Sequence, residues 1–284
     1  MNTMLISPQP RLAAVCERIA VLLCIVGAVA VLSLLFVTPI HFGLPVLATQ
    51  MLSMILLCIM HAAATKGWRK ALGFSAISFA ISWFVEFIGC NYSLWFGDYE
   101  YTEVLGFSVG NVPLLIVVAW EVIIYPSLLL VDELLGTDGA SSHRFHWVAK
   151  IAATSLATAL VATAWDMMVD PSSVREKWWT WDHGGSYMPD IDGGMPYGNF
   201  WGWVGAVFII SALYRLIFTK PNVSAASTGS SLLFAASLYT ALFCGMLTNL
   251  YYHGLYQPMF IGTFTMGPII ALAWAKLLTR QTQN

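Results

Sequence analysis

The sequence predicts an all-α fold, a polytopic membrane helical bundle of about eight transmembrane helices with both termini cytoplasmic. Three observations carry this. The chain is 58% hydrophobic and only 10% charged over 284 residues, with a mean hydropathy of +0.72, whereas soluble domains carry roughly a quarter charged residues. Eight apolar runs reach the length of about twenty residues that crosses roughly 30 Å of hydrocarbon. Basic residues fall almost entirely on one side of the topology those runs define. The chain 1–284 therefore reads as a single integral membrane domain.

The first run, 19–37, is longer than a signal-peptide core and ends without a small-residue cleavage site, so it reads as a retained span. The others are 44–64, 71–90, 112–131, 147–170, 199–218, 232–252 and 259–278, with Pro39, Gly43, Pro113, Pro171, Pro221 and Pro258 marking turns. With the N-terminus inside, Arg11, Arg18, Lys66, Arg69, Lys70, Arg144, Lys150, Arg215, Lys220, Lys276 and Arg280 are cytoplasmic, eleven of the thirteen Lys and Arg. Arg175 and Lys177 fall outside, among Asp98, Glu100, Glu103, Glu176, Asp182, Asp190 and Asp192. Two outer loops, 91–111 and 171–198, are long and rich in aromatic residues and glycine, which suggests ordered lids. The inner stretch 219–231 reads as a mobile connection without function.

Composition also excludes. A net charge of -2, with no basic run beyond Lys66 to Lys70, leaves no surface for nucleic acid. Cys16, Cys24, Cys58, Cys90 and Cys244 stand singly in apolar stretches and read as packing residues. His143 and His146 have a metal-like spacing but no third ligand nearby, so no metal site is assigned. The lack of an internal repeat argues against an inverted-repeat transporter.

Four acids lie inside or at the ends of spans: Glu86, Glu121, Asp166 and Asp170. An ionisable group there costs several kcal/mol unless it faces a partner or a wet cavity, so function is the default reading. Glu121 lies about 14 Å below the outer end of its span at 1.5 Å per residue, near the midplane. Tyr125 sits one turn deeper on the same face, and Pro126 frees a carbonyl beside it. The alternative for Glu121 is a polar clamp between helices. Asp166 and Asp170, spaced i and i+4, share one face and cannot both ionise comfortably in low dielectric. Asp170, before Pro171, also fits a turn residue ending the helix. Trp83, Trp120 and Trp165 stand near these acids, and Trp120 is deep enough to offer a ring face to a cation. Trp178, Trp179 and Trp181 read as interfacial belt residues. Asn199 reads as the N-cap of the sixth span and is kept beside Tyr125 and the three tryptophans as a substrate-binding candidate.

A buried protonated carboxyl with aromatic walls suits proton delivery to an unactivated alkene and shielding of the carbocation, without a cofactor. Whether water then adds or a ring closes is not encoded in the spacing of these residues.

The blocks FVEFIG (84–89), FGDYEYTEVLG (96–106), VPLLIVVAWEVIIYPS (112–127), TAWDMMVDP (163–171) and GMPYGNFWGW (194–203) resemble the membrane carotenoid-biosynthesis protein family, which includes carotenoid hydratases acting on gamma-carotene and bisanhydrobacterioruberin-like acyclic ends. The resemblance spans roughly residues 70 to 215 and implies hydration of a terminal carotenoid double bond to a tertiary alcohol. Its substrate would be a lipophilic isoprenoid or carotenoid taken from the membrane lipid. It also implies an acid-base role for Glu86, Glu121, Asp166 and Asp170. Within it, 188–193 (MPDIDG) stands as an acidic insertion. The rival readings, in order, are a proton-initiated terpenoid cyclase, a magnesium-dependent prenyltransferase using Asp166 and Asp170, and a non-enzymatic lipid-binding or transport protein.

Overall fold

The structure is a computed structural model that describes residues 9–36, 44–136, 144–219 and 229–282. Its helices are α1 (Pro10–Ser33), α2 (Leu44–Lys66), α3 (Trp68–Tyr92), α4 (Leu114–Leu135), α5 (Arg144–Arg175), α6 (Tyr197–Phe218), α7 (Gly229–Tyr252) and α8 (Tyr256–Gln281). All eight are long and apolar enough to cross a membrane. His143 and most of 219–231 lie outside the described residues, and His146 is exposed in the first turn of α5.

α4 is the central helix, packed against α2, α3, α5 and α7. Its apolar window is 72% buried, against 11% for α1 and 17% for α8, so those two helices form the rim. Lipid supplies no hydrophobic drive between helices, and close contact and hydrogen bonds must hold the bundle instead. Gly202 on α6 illustrates the closeness: a Cβ there would lie 2.5 Å from the Phe96 ring and 2.9 Å from the Trp95 carbonyl oxygen.

The two ends of the bundle differ chemically. At one, Asp132 of α4 pairs with Arg215 of α6 at 2.8 Å and Lys66 of α2 at 3.9 Å, while Glu133 pairs with Arg280 of α8 at 3.1 Å. This basic end joins the C-termini of α2, α4, α6 and α8. The other end is roofed by the two long connections, which are ordered as their composition suggests. They contain β1 (Tyr99–Tyr101), β2 (Ser108–Val109), β3 (Val112–Pro113) and β4 (Trp179–Trp181). β1 and β4 pair antiparallel, with Tyr99 opposite Trp181 and Tyr101 opposite Trp179. Side chains alternate along a strand, so these four rings share one face while Glu100 is exposed on the other.

Three sequence expectations are corrected here. α5 does not end at Asp170 but runs through Pro171 to Arg175. A proline inside a helix frees the carbonyl four residues earlier; that carbonyl, on Met167, accepts a hydrogen bond from the Tyr187 hydroxyl at 2.9 Å. Asp170 is thus a side chain on a continuous helix, not a turn residue. Trp178, Trp179 and Trp181 are not a lipid belt: all three line the cavity of the bundle, Trp179 and Trp181 through the pairing of β4 with β1. Asn199 is not an N-cap: α6 starts earlier, with Pro196 in that position.

The acidic segment 188–193 folds as a loop closed by a bridge between Tyr187 and Met195. Its Asp192 accepts hydrogen bonds from Arg175 Nε and Lys177 Nζ, both at 2.8 Å. The Lys177 ammonium holds the Asp192 carboxyl below the usual aspartate range, with Arg175 adding to it. The only two basic residues assigned to this end by the charge pattern are therefore matched by one acid.

Candidate active site

Beneath the roof lies a cavity of about 450 Å³, within the range of roughly 300–1,000 Å³ typical of small-molecule sites. Glu86, Asp166, Asp170 and Glu176 line it, and among the described residues no Lys or Arg does. Its acids come from α3 and α5, and its aromatic walls from α4, α6, β1 and β4.

Glu86, one and a half turns from the end of α3, is 4% exposed and holds three donors. Oε1 accepts from Trp120 Nε1 at 2.9 Å, and Oε2 accepts from the hydroxyls of Tyr99 at 2.5 Å and Tyr101 at 2.6 Å. Burial pushes both phenols above their ordinary range, and the neighbouring Glu86 carboxylate raises them further, so they stay neutral donors. Both oxygens of this buried carboxyl are thus matched by donors. The period-two alternation of β1 places both tyrosines on the same carboxylate. Gly89 makes room for this: a Cβ there would stand 2.7 Å from the Tyr99 hydroxyl.

Asp166 and Asp170 occupy successive turns of α5, 1% and 3% exposed. One side-chain nitrogen serves both: Asn199 Nδ2 lies 3.1 Å from Asp166 Oδ2 and 2.5 Å from Asp170 Oδ2. No cation pairs with either aspartate among the described residues. The Trp179 side chain also donates to Asp170, so Asn199 is the donor that the two carboxyls share, and two carboxyls this close leave room for a shared proton.

Trp120 stacks on Trp203 at 3.8 Å between ring centroids and 5° between planes. Trp165 also lines the cavity, and among the described residues its indole nitrogen has no partner; nor has the Ser173 hydroxyl, one turn beyond Asp170.

The structure thus brings together Glu86, Asp166, Asp170, Trp120, Trp165 and Asn199. It places Glu121, Tyr125 and Trp83 outside this cavity wall. Glu121 accepts from Ser75 of α3 at 2.7 Å. Tyr125 meets Nδ1 of His61, on α2, at 2.8 Å. Trp83 donates to the Val109 carbonyl at 3.0 Å and stacks on Phe87. Sequence reasoning did not single out Tyr99, Tyr101, Trp179, Trp181 or Trp203 as site residues. The Tyr-Glu-Tyr and Trp-Thr-Trp alternations were the available signal for the first four.

Fold and site together define a polytopic membrane protein with an acidic, aromatic cavity suited to an uncharged lipophilic molecule. A family profile described as carotenoid biosynthesis protein matches residues 43–268, and the chain belongs to that family. No curated protein and no solved structure matches it.

The Glu86 clamp makes a quantitative prediction. Hydrogen bonds to charged groups contribute about 1.5–3 kcal/mol each, so Tyr99→Phe and Trp120→Phe should each lower stability in detergent by that amount. In a double-mutant cycle with Glu86→Gln, coupling of about 0.5–3 kcal/mol is expected for each pair. Additive losses would mean that the donors do not act on Glu86.

Proposed function

We propose that the protein is a carotenoid hydratase: it protonates a terminal carbon–carbon double bond and adds water to give a tertiary alcohol. The observation that carries this reading is the Asp166–Asp170 pair that shares the Asn199 amide in an aromatic cavity lined by no Lys or Arg among the described residues. Asp166, sharing a proton with Asp170, delivers it to the terminal alkene carbon. The tertiary cation forms against the ring faces of Trp120 and Trp165, which stabilise positive charge without bonding to it. Water then attacks the cation, and the proton it loses returns to a carboxylate, so that the net change is addition of one water. Glu86, kept as a carboxylate by its clamp, lowers the energy of the cation electrostatically. Ring closure instead of water capture would use the same acids. The Ser173 hydroxyl and Trp165 indole N–H, without a partner among the described residues, favour water, since each is a polar group able to help hold one beside the carboxyls.

Chemistry and reactant are then separated by isotopes. In deuterated water the product should gain deuterium on carbon, and in heavy-oxygen water its new hydroxyl should carry the label. Deuterium without heavy oxygen would indicate cyclisation or isomerisation, and neither label would exclude proton-initiated chemistry. Asp166→Asn should lower turnover by about two to four orders of magnitude. Glu121→Gln, outside the cavity wall, should remain within about tenfold of the parent, a change of no more than about 1.4 kcal/mol in barrier.

The same reading places the roof on the side opposite the cytoplasm, with both termini inside. Support comes from the clustering of Lys66, Arg215, Lys276 and Arg280 around Asp132 and Glu133 at the other end and the preference of basic residues for the cytoplasmic side. Single cysteines at the exposed positions Val104 and Asp190 should then react with an impermeant thiol reagent on intact cells. Reaction only after permeabilisation would invert the topology.

A further inference from the structure

The cavity is larger than its acidic head. Its wall on α1, α2 and α7, here called the arm, is lined by residues such as Leu23, Ala30, Met51, Met54, Leu242 and Gly245. Among the described residues, no lining side chain of these three helices is charged; most are aliphatic or methionine, with Gln50, Thr248, Asn249 and Tyr252 as the exceptions. Methionine is unbranched and polarisable and adapts to an extended chain without a fixed shape.

α1 is built for such a role. Its buried residues Ala13, Cys16 and Ala20 all lie in the half nearest the basic end. Beyond them Leu22, Ile25, Val29 and Leu32 are more than half exposed, at 54–63%. Val26 is 58% exposed and lines the cavity as well, so the arm reaches the lipid-facing surface there. Leu23, Val26 and Ala30 recur at helical spacing and form one stripe. Gly27 on that stripe fixes how closely α1 approaches α7: a Cβ would lie 3.0 Å from Cys244 Cβ. Gly245, one residue along α7, is the opposite case, because a Cβ there meets nothing within 4 Å. The floor of the arm is open at that point.

A cavity of about 450 Å³ suits a drug-sized molecule, not a whole carotenoid. If the terminal alkene sits at the aspartates, the rest of the molecule must leave along an uncharged path that ends in lipid.

We infer that the groove between α1, α2 and α7 binds the linear isoprenoid chain of the substrate and is its lateral passage from the bilayer. This rests on the hydratase reading for the identity of the head group, but the binding itself does not depend on turnover. It assigns chain selection in part to α1, which lies outside the segment that matches the family profile.

The test uses Gly245→Phe, at a cavity-lining glycine where an added Cβ meets nothing within 4 Å. The control is Gly267→Phe on α8, another glycine with nothing within 4 Å of an added Cβ and no place in the cavity wall. Binding of a full-length acyclic polyene to protein in nanodiscs is followed by quenching of tryptophan fluorescence. A short acyclic terpene with the same terminal alkene serves as the second probe. Gly245→Phe should weaken polyene binding about tenfold or more and spare the short probe, a loss of binding confined to the remote chain. Gly267→Phe should change neither. Parent-like polyene binding by Gly245→Phe, equal loss of both probes, or no polyene binding by the parent protein would each overturn the groove. Groove-dependent polyene binding without any hydrated product would retain the groove and defeat the hydratase reading.

Discussion

Placing carboxyl groups among apolar helices is the constraint around which the roofed end of this protein is organised. Each such group costs several kcal/mol in hydrocarbon unless donors or a cavity receive it. Three acids are accommodated here in two ways. Glu86 is surrounded by Trp120, Tyr99 and Tyr101, whereas Asp166 and Asp170 share the amide of Asn199. The first arrangement gives one carboxyl three donors. The second gives two carboxyls a shared amide and one further donor, Trp179 on Asp170, and in the proposed mechanism this pair is the one that delivers a proton.

The roof follows from the same need. Two of the three donors on Glu86 sit on β1, which is fixed by pairing with β4, and β4 follows directly from the end of α5. The loop after it supplies Tyr187 to the carbonyl that Pro171 frees. One continuous set of hydrogen bonds therefore links the helix bearing the aspartates to the strands that hold Glu86. Cover over the cavity and acid positioning are two results of this single piece of structure, and glycine at 89 and 202 permits the close approach it needs.

Much of this was legible in the sequence. Hydropathy gave eight spans, and helical spacing put Asp166 and Asp170 on one face, because both signals are local. The family resemblance agreed with the profile match to residues 43–268. Asp170 was harder, since Pro171 looks locally like a stop and only a distant tyrosine lets the helix continue. The partners of Glu86 are 13, 15 and 34 residues away, and strand pairing between two loops is set by tertiary contact. Glu121 and Glu86 look equivalent in sequence, as single acids in apolar helices. They differ in what faces them: Ser75 across a helix contact in one case, a cavity in the other.

The central claim is a division of labour between a carboxyl pair that carries a proton and a carboxylate that does not. Infrared spectroscopy of the purified protein at neutral pH reads this directly, through the carbonyl stretch of a protonated carboxylic acid and its shift in heavy water. The account predicts such a band in the parent protein, its loss in Asp166→Asn with Asp170→Asn, and its persistence in Glu86→Gln. A band that survives the double aspartate change and disappears in Glu86→Gln would contradict it.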